Sequence, residues 1–297
     1  DRAAGVVLAD GSEIAARKGV VLCAGSLASP AILMRSGIGP ADHLAALGIR
    51  CRHDAPDVGA NLHDHPGAGL HFEGPGSGYG LEPAQWPAWL AAPFRLYASG
   101  TGPLASPTVE GGAFFNARGE SAEPDVQSHF IPFHLDWQGN RYKRTAGYFA
   151  DVVVCRPRSR GRLTLQSAAS KAAPVIDLGL FSDERDLDTL QAGIERLRGL
   201  LEKADFGPRR APEAHPGAHV TGEALRAHIR RSAGTAYHPV GTLALGGPVT
   251  DRLAVKGAEG LWAADASVMP QVTSANTNAP AMMIGWRGAA FIAEDAA

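Results

Sequence analysis

Cysteine is scarce in this 297-residue chain: three residues, Cys23, Cys51 and Cys155, stand far apart and form no CxxC pair. That spacing argues against a disulfide framework and for a reducing compartment. No apolar run is long enough to cross a bilayer, and Asp1-Arg2 is not followed by the apolar core of a signal peptide. Charge is sparse and balanced, with a net value of -2 and no block of Lys or Arg. The basic footprint of a nucleic-acid binder is therefore missing, as is that of a membrane-surface helix. The chain reads as cytoplasmic, with membrane association of a longer parent protein left open. It does not begin with Met and opens on strand-like sequence, the pattern of a fragment or processed chain.

What is present is 45% hydrophobic residues, ordinary for a globular protein of one or two domains. Residues 5–8 (GVVL), the Asp10-Gly11 turn and Ile14-Ala15 predict a hairpin. Residues 19–23 (GVVLC) predict a short strand buried on both faces, and residues 260–264 (GLWAA) another. After the first of these, Ser29 is read as the N-cap of a helix running to Arg35, with Pro30 in its first turn. Residues 74–80 are rich in Gly and mark a loop or boundary. Strands are expected over 112–115, 126–132, 148–155 and 162–165. A helix is expected after Asp183, where Leu187, Leu190, Ile194, Leu197 and Leu201 recur at spacings of three and four. The stretch 203–219, rich in Pro, Ala and Gly, is expected to be a surface connection, and residues 281–290 a final helix.

Three segments carry most of the chemistry. Residues 25–39 (GSLASPAILMRSGIG) open a helix on small residues and close it on glycine. Residues 57–66 (DVGANLHDHP) are dense in polar groups. The third comprises residues 237–242 (YHPVGT) and 265–280 (DASVMPQVTSANTNAP). His63-Asp64-His65, with His53-Asp54 nearby, suggests a metal site, but HxH lacks a third partner at a recognisable spacing, and no metal is assigned.

Taken in order, these segments resemble the glucose–methanol–choline (GMC) flavoprotein oxidoreductases. Residues 25–39 resemble the second family signature and YHPVGT its active-site histidine segment. DASVMP with Asn276-Thr277-Asn278 is similar to its C-terminal flavin-contacting stretch, and residues 156–165 (RPRSRGRLTL) to a strand of its substrate domain. The resemblance implies an α/β plus α+β protein: a partial FAD-binding, Rossmann-like domain with an antiparallel-sheet substrate domain. Residues 1–70 and 231–297 would form the former and 71–230 the latter.

Under this resemblance, His238 and Asn276 are the catalytic residues. An unperturbed imidazole titrates near ~6.5 and can accept a hydroxyl proton at neutral pH; an amide can hold a developing alkoxide without changing charge. Alternatively, His238 is a satisfied core histidine and Asn276 a helix-entry residue. The resemblance places Ala24, Gly25, Asn61, Asp64, His65, Tyr237, Asp265, Ala266, Thr277 and Asn278 at the cofactor, FAD. Asn61, Asp64 and His65 would order a loop beside it, and Asp265 reads otherwise as a strand-end turn residue. The partner is a small-molecule alcohol; nothing names the electron acceptor, and no nucleic acid is implied. The aromatics Phe114, Phe115, Phe130, Phe133 and Trp137 are expected in the core rather than in a pocket.

The dinucleotide fingerprint GxGxxG is absent from the sequence. Residues 74–80 do not fit its spacing, and no strand is expected before them. The chain is therefore expected to be the C-terminal portion of such an enzyme and to hold flavin poorly in isolation. A non-catalytic fragment, or a lyase on the same flavoprotein scaffold, are the alternatives.

Overall fold

A computed structural model describes residues 1–119, 122–136, 141–142 and 145–295. Its helices are α1 (Gly25–Arg35), α2 (Ala41–Ala46), α3 (Trp86–Ser99), α4 (Glu184–Lys203), α5 (Gly222–Ser232) and α6 (Asn278–Asp295). The chain divides into two compact units: Asp1–His65, Arg156–Asp183 and Tyr237–Ala297 form the first, Pro66–Cys155 and Glu184–Ala236 the second. Residues 156–183, expected in the middle domain, thus group with the terminal segments.

In the first unit, strands Gly5–Val7 and Glu13–Ala15 form the expected hairpin, with Val6 opposite Ile14. Asp10 stabilises its turn by accepting the Ser12 N–H at 2.9 Å. Strand Val20–Leu22 pairs in parallel with Leu261–Ala263. The second of these is buried throughout, but Val21 is 40% exposed, so the first strand is not buried on both faces. The core beneath gathers Leu33, Met34, Leu44, Leu62, Leu163 and Leu243 from five separate stretches of chain. Burying one such side chain is worth about 1.5–3 kcal/mol.

Helix α1 begins at Gly25, not Ser29. The residue before it, Ala24, offers no capping side chain, while Ser29 and Pro30 lie inside the helix and are buried. Pro30 has no N–H for the Ser26 carbonyl, four residues earlier. The Thr242 hydroxyl donates to that carbonyl at 2.8 Å instead, which is how a proline is tolerated there. Helix α6 likewise starts earlier than expected and runs further.

The second unit is built on an antiparallel sheet in the order Glu213–His215, Pro66–Glu73, Gly147–Val154, Val126–Ile131, Gly111–Phe115, with Gly234–Thr235 also pairing against Pro66–Glu73. The expected surface connection over 203–219 thus contributes an edge strand. Helix α4 buries Leu187, Leu190, Ile194 and Leu197 of its predicted apolar stripe, with Leu201 half-buried. Arg226 joins α5 to Glu184 and Asp188 of α4 at 2.6 Å each. Arg198 of α4 forks onto Glu213 at 2.9 and 2.7 Å. Among the unit's described residues, the fully buried aromatics are Tyr148 and Phe149. Phe115, Phe130 and Phe133 are only half-buried and Phe114 is exposed, which corrects the expectation that they fill the core. Trp137 lies outside the described residues.

Candidate active site

Residues 57–65 of the polar stretch pass between two other strands of chain within the first unit. Leu62 exchanges main-chain hydrogen bonds with Gly161, at 3.2 and 2.8 Å, and His63 with Val240, at 3.2 and 2.9 Å. An extended segment buried this way must satisfy its main-chain groups, and these pairings do so. They also fix the register of residues 237–242 against residues 61–65.

That register decides where His238 sits. Tyr237 takes φ 63°, a left-handed conformation uncommon for a non-glycine residue. The chain then turns so that the His238 N–H meets the buried Asp64 carboxylate at 2.9 Å. The His65 ring stands edge-on to the His238 ring, 5.4 Å between centroids. Three residues on, Gly241 has φ 95°, and a Cβ there would lie 2.3 Å from the Asn61 carbonyl oxygen. Only glycine allows this approach.

His238 Nε2 lies 3.3 Å from Asn276 Nδ2. An amide nitrogen can only donate, so this bond leaves the lone pair on Nε2 and the ring proton on Nδ1. In that tautomer Nε2 is the ring atom able to take a proton, with the Asn276 amide beside it. Asn276 is exposed; His238 is partly so. Both candidate catalytic residues therefore converge, though separated by 38 positions in sequence.

The candidate cofactor residues fall into three groups. Around α1, Asp265 accepts the Gly25 N–H at 2.9 Å, the Ser29 hydroxyl at 2.6 Å and the Ser267 N–H at 2.8 Å. Ser29 in turn accepts the Ala24 N–H at 3.1 Å. Asp265, buried, thereby clamps the start of α1 to the turn containing Ala266, which is half-exposed. Gly25 has φ 79°, and a Cβ there would meet no atom within 4 Å, so the start of α1 faces open space. In the second group, Asn61 (φ 56°) donates to the carbonyls of Pro270, at 3.0 Å, and Gly241, at 3.4 Å, and accepts from Arg160 Nε at 2.8 Å. Asp64 and His65 flank His238 as described, and the Tyr237 side chain is 72% exposed. In the third, Thr277 is buried and Asn278 exposed at the start of α6, immediately after Asn276.

Sequence reasoning missed His63, Arg160, Ser29 and Thr242. In the sequence His63 suggests only a metal ligand; among the described residues, no group of three or more His, Cys, Asp or Glu side chains could hold a metal ion. Thr242 and Ser29 bond to partners more than 200 positions away, at Ser26 and Asp265, and no local signal marks such pairs.

Comparison with known proteins fits this geometry. The N-terminal model of the GMC oxidoreductase family matches residues 1–67 and its C-terminal model residues 157–285. The chain belongs to the GMC oxidoreductase family. The two matched segments carry the Asn61–His65 stretch, His238 and Asn276. An oxygen-dependent choline dehydrogenase of Brucella melitensis is 36% identical over 304 residues, covering 98% of this chain and 55% of that protein. The corresponding enzyme of Pseudomonas fluorescens is 37% identical, with 92% and 49% covered. The chain spans about half the length of the curated relatives it matches. Among solved structures, a formate oxidase superposes with a TM-score of 0.84 at 25% identity, covering 98% of this chain and 57% of that one. A pyridoxine 4-oxidase from Mesorbium loti gives 0.77 at 26%, with 94% and 52% covered. GMC membership accords with the mixed architecture, an antiparallel sheet in one unit and a parallel strand pair with helices in the other. No helix among the described residues is long and apolar enough to cross a membrane.

Proposed function

We propose that this GMC chain carries the proton-handling groups of a site that oxidises a small-molecule alcohol to an aldehyde or ketone with FAD. The observation that carries the reading is the His238–Asn276 pair, at 3.3 Å in a chain of this family. Neutral His238 accepts the hydroxyl proton at Nε2. Asn276 donates to the same oxygen as it becomes an alkoxide, and the imidazolium formed at His238 attracts it further. Asp64 holds the His238 main chain, so that the ring does not have to be ordered during the reaction.

FAD suits the residues around this pair. The N-terminus of α6 carries partial positive charge immediately after Asn276, and the start of α1 presents Gly25 to open space, where a planar ring can approach the backbone. When bound, FAD supplies the acceptor for the hydride that leaves the alcohol carbon. Ala24, Gly25 and Ala266 would line one side of it, with Thr277 and Asn278 at the other. Asn61, Asp64, His65 and Tyr237 order the loops, and Asp265 acts by holding α1.

Anaerobic addition of choline, or of a simple primary alcohol, to the flavin-loaded protein tests the reading. Loss of the oxidised-flavin absorbance supports it. Unchanged absorbance across a panel of alcohols overturns it, and cleavage of a cyanohydrin without bleaching would assign a lyase instead.

A further inference from the structure

His63 lies between the two loops that carry the proposed catalytic pair. Its ring is 1% exposed, and both ring nitrogens are used. Nδ1 lies 2.6 Å from the Asn61 carbonyl oxygen, and Nε2 accepts the Val272 N–H at 3.0 Å. A main-chain carbonyl only accepts and a main-chain N–H only donates. The ring must therefore be neutral, with its proton on Nδ1. Its own main chain pairs with Val240, two residues from His238, and its ring holds Val272, four residues from Asn276. Asn61 makes the same bridge in parallel, to Gly241 on one loop and Pro270 on the other.

We propose that His63 is a positioning residue whose neutral imidazole ties the Asn276 loop to the His238 loop, and that its protonation releases that tie. Protonation would turn Nε2 into a donor aimed at the Val272 N–H. Neither group could then satisfy the other, and the loop ahead of Asn276 would shift away. The surroundings oppose this at neutral pH. Burial, countered by the Asn61 carbonyl and reinforced by Arg160 and His65, lowers the pKa of His63 from 6.5 to about 4. The titratable groups on the elements packed against it are Asp64 and His65 on its own loop, Arg160 behind Asn61, and Tyr237 and His238 across the Val240 pairing. The 270–276 loop carries none.

The functional half of this inference rests on the alcohol-oxidation reading; the tautomer does not. Nitrogen-15-labelled histidine resolved by NMR across pH should show His63 protonated at Nδ1 alone, titrating only near 4, with the Val272 amide shifting in step. A ring protonated at Nε2, or one titrating in the ordinary histidine range, overturns the proposal whether or not any alcohol is oxidised. In alcohol-driven flavin reduction at neutral pH, His63→Leu should slow the reaction about tenfold, the equivalent of about 1.4 kcal/mol. His63→Gln, whose amide can both accept from Val272 and donate to Asn61, should restore it to within about threefold. Below the His63 titration the wild type should lose activity with two protons and His63→Gln with one. Equal rates in the Leu and Gln variants, or identical acid limbs in wild type and Gln variant, contradict the proposal. Should His63→Leu fail to fold, the tautomer and the acid limb of His63→Gln decide. Should the wild type reduce no flavin, the oxidation reading fails and the tautomer measurement alone decides this one.

Discussion

Removing the Thr242 hydroxyl should destabilise the protein because of a proline in a different segment. Thr242 is fully buried and donates at 2.8 Å to the Ser26 carbonyl, which Pro30 leaves without a helical partner. Thr242→Val keeps the shape and strands a buried carbonyl, a loss of about 1–3 kcal/mol. Pro30→Ala supplies the missing N–H. In that background the same Thr242→Val change should cost no more than about 1 kcal/mol, a coupling of about 1–2 kcal/mol between the two positions. The proline's effect on the unfolded chain, about 0.4–1 kcal/mol, appears in both arms and cancels. Urea unfolding of the four proteins measures the cycle, provided the dependence on denaturant stays constant. Additivity to within about 0.3–0.5 kcal/mol would refute the reasoning, since the hydroxyl would then not be replacing the helical donor.

Arg198→Met should cost about 3–5 kcal/mol in urea unfolding, because it leaves the Glu213 carboxylate, 4% exposed, without its forked partner; a loss below about 1 kcal/mol contradicts that, being the scale of an exposed pair. His129 is raised above the ordinary histidine value by its hydrogen bond to Asp151, with burial opposing and the Asp151 charge assisting. Its contribution is therefore full below the unfolded value of 6.5 and is lost as pH rises through the higher folded value. The stability gap between wild type and Asp151→Asn should narrow as pH rises from the ordinary histidine value through the raised folded value, and a constant gap would contradict this. His63 has the opposite sign: its folded pKa is depressed, so its contribution is present above 6.5 and lost as pH falls toward about 4, a difference of about 3 kcal/mol. His63→Gln should therefore resist acid unfolding better than the wild type, and equal acid midpoints would contradict that sign.

What the sequence made legible follows from what is local. The Leu187–Leu197 stripe specified α4 because helical periodicity needs no partner to be seen. The Asp-Gly hairpin was legible for the same reason. Strand Pro66–Glu73 was not: Gly67, Ala68 and Gly69 have low strand propensity, and Gly69 is there because the Phe149 ring packs against it, with a Cβ only 2.1 Å from that ring. Helix α3 was hidden by Pro87 and Pro93, which read as breakers. The α1 start was misplaced because Ser29 looks like a cap, whereas its hydroxyl is spent on Asp265, 236 positions away. The site divides in the same way. YHPVGT and Asn276 were visible as motifs, while the ties that hold them together run through His63, Asn61 and Arg160, whose partners only the fold supplies.

The role of His238 is tested most directly by stopped-flow flavin reduction under anaerobic conditions, comparing wild type with His238→Ala, both loaded with flavin. A base at this position predicts a rate lower by about a hundred- to ten-thousandfold, with flavin content unchanged. An undiminished rate in the variant would contradict it.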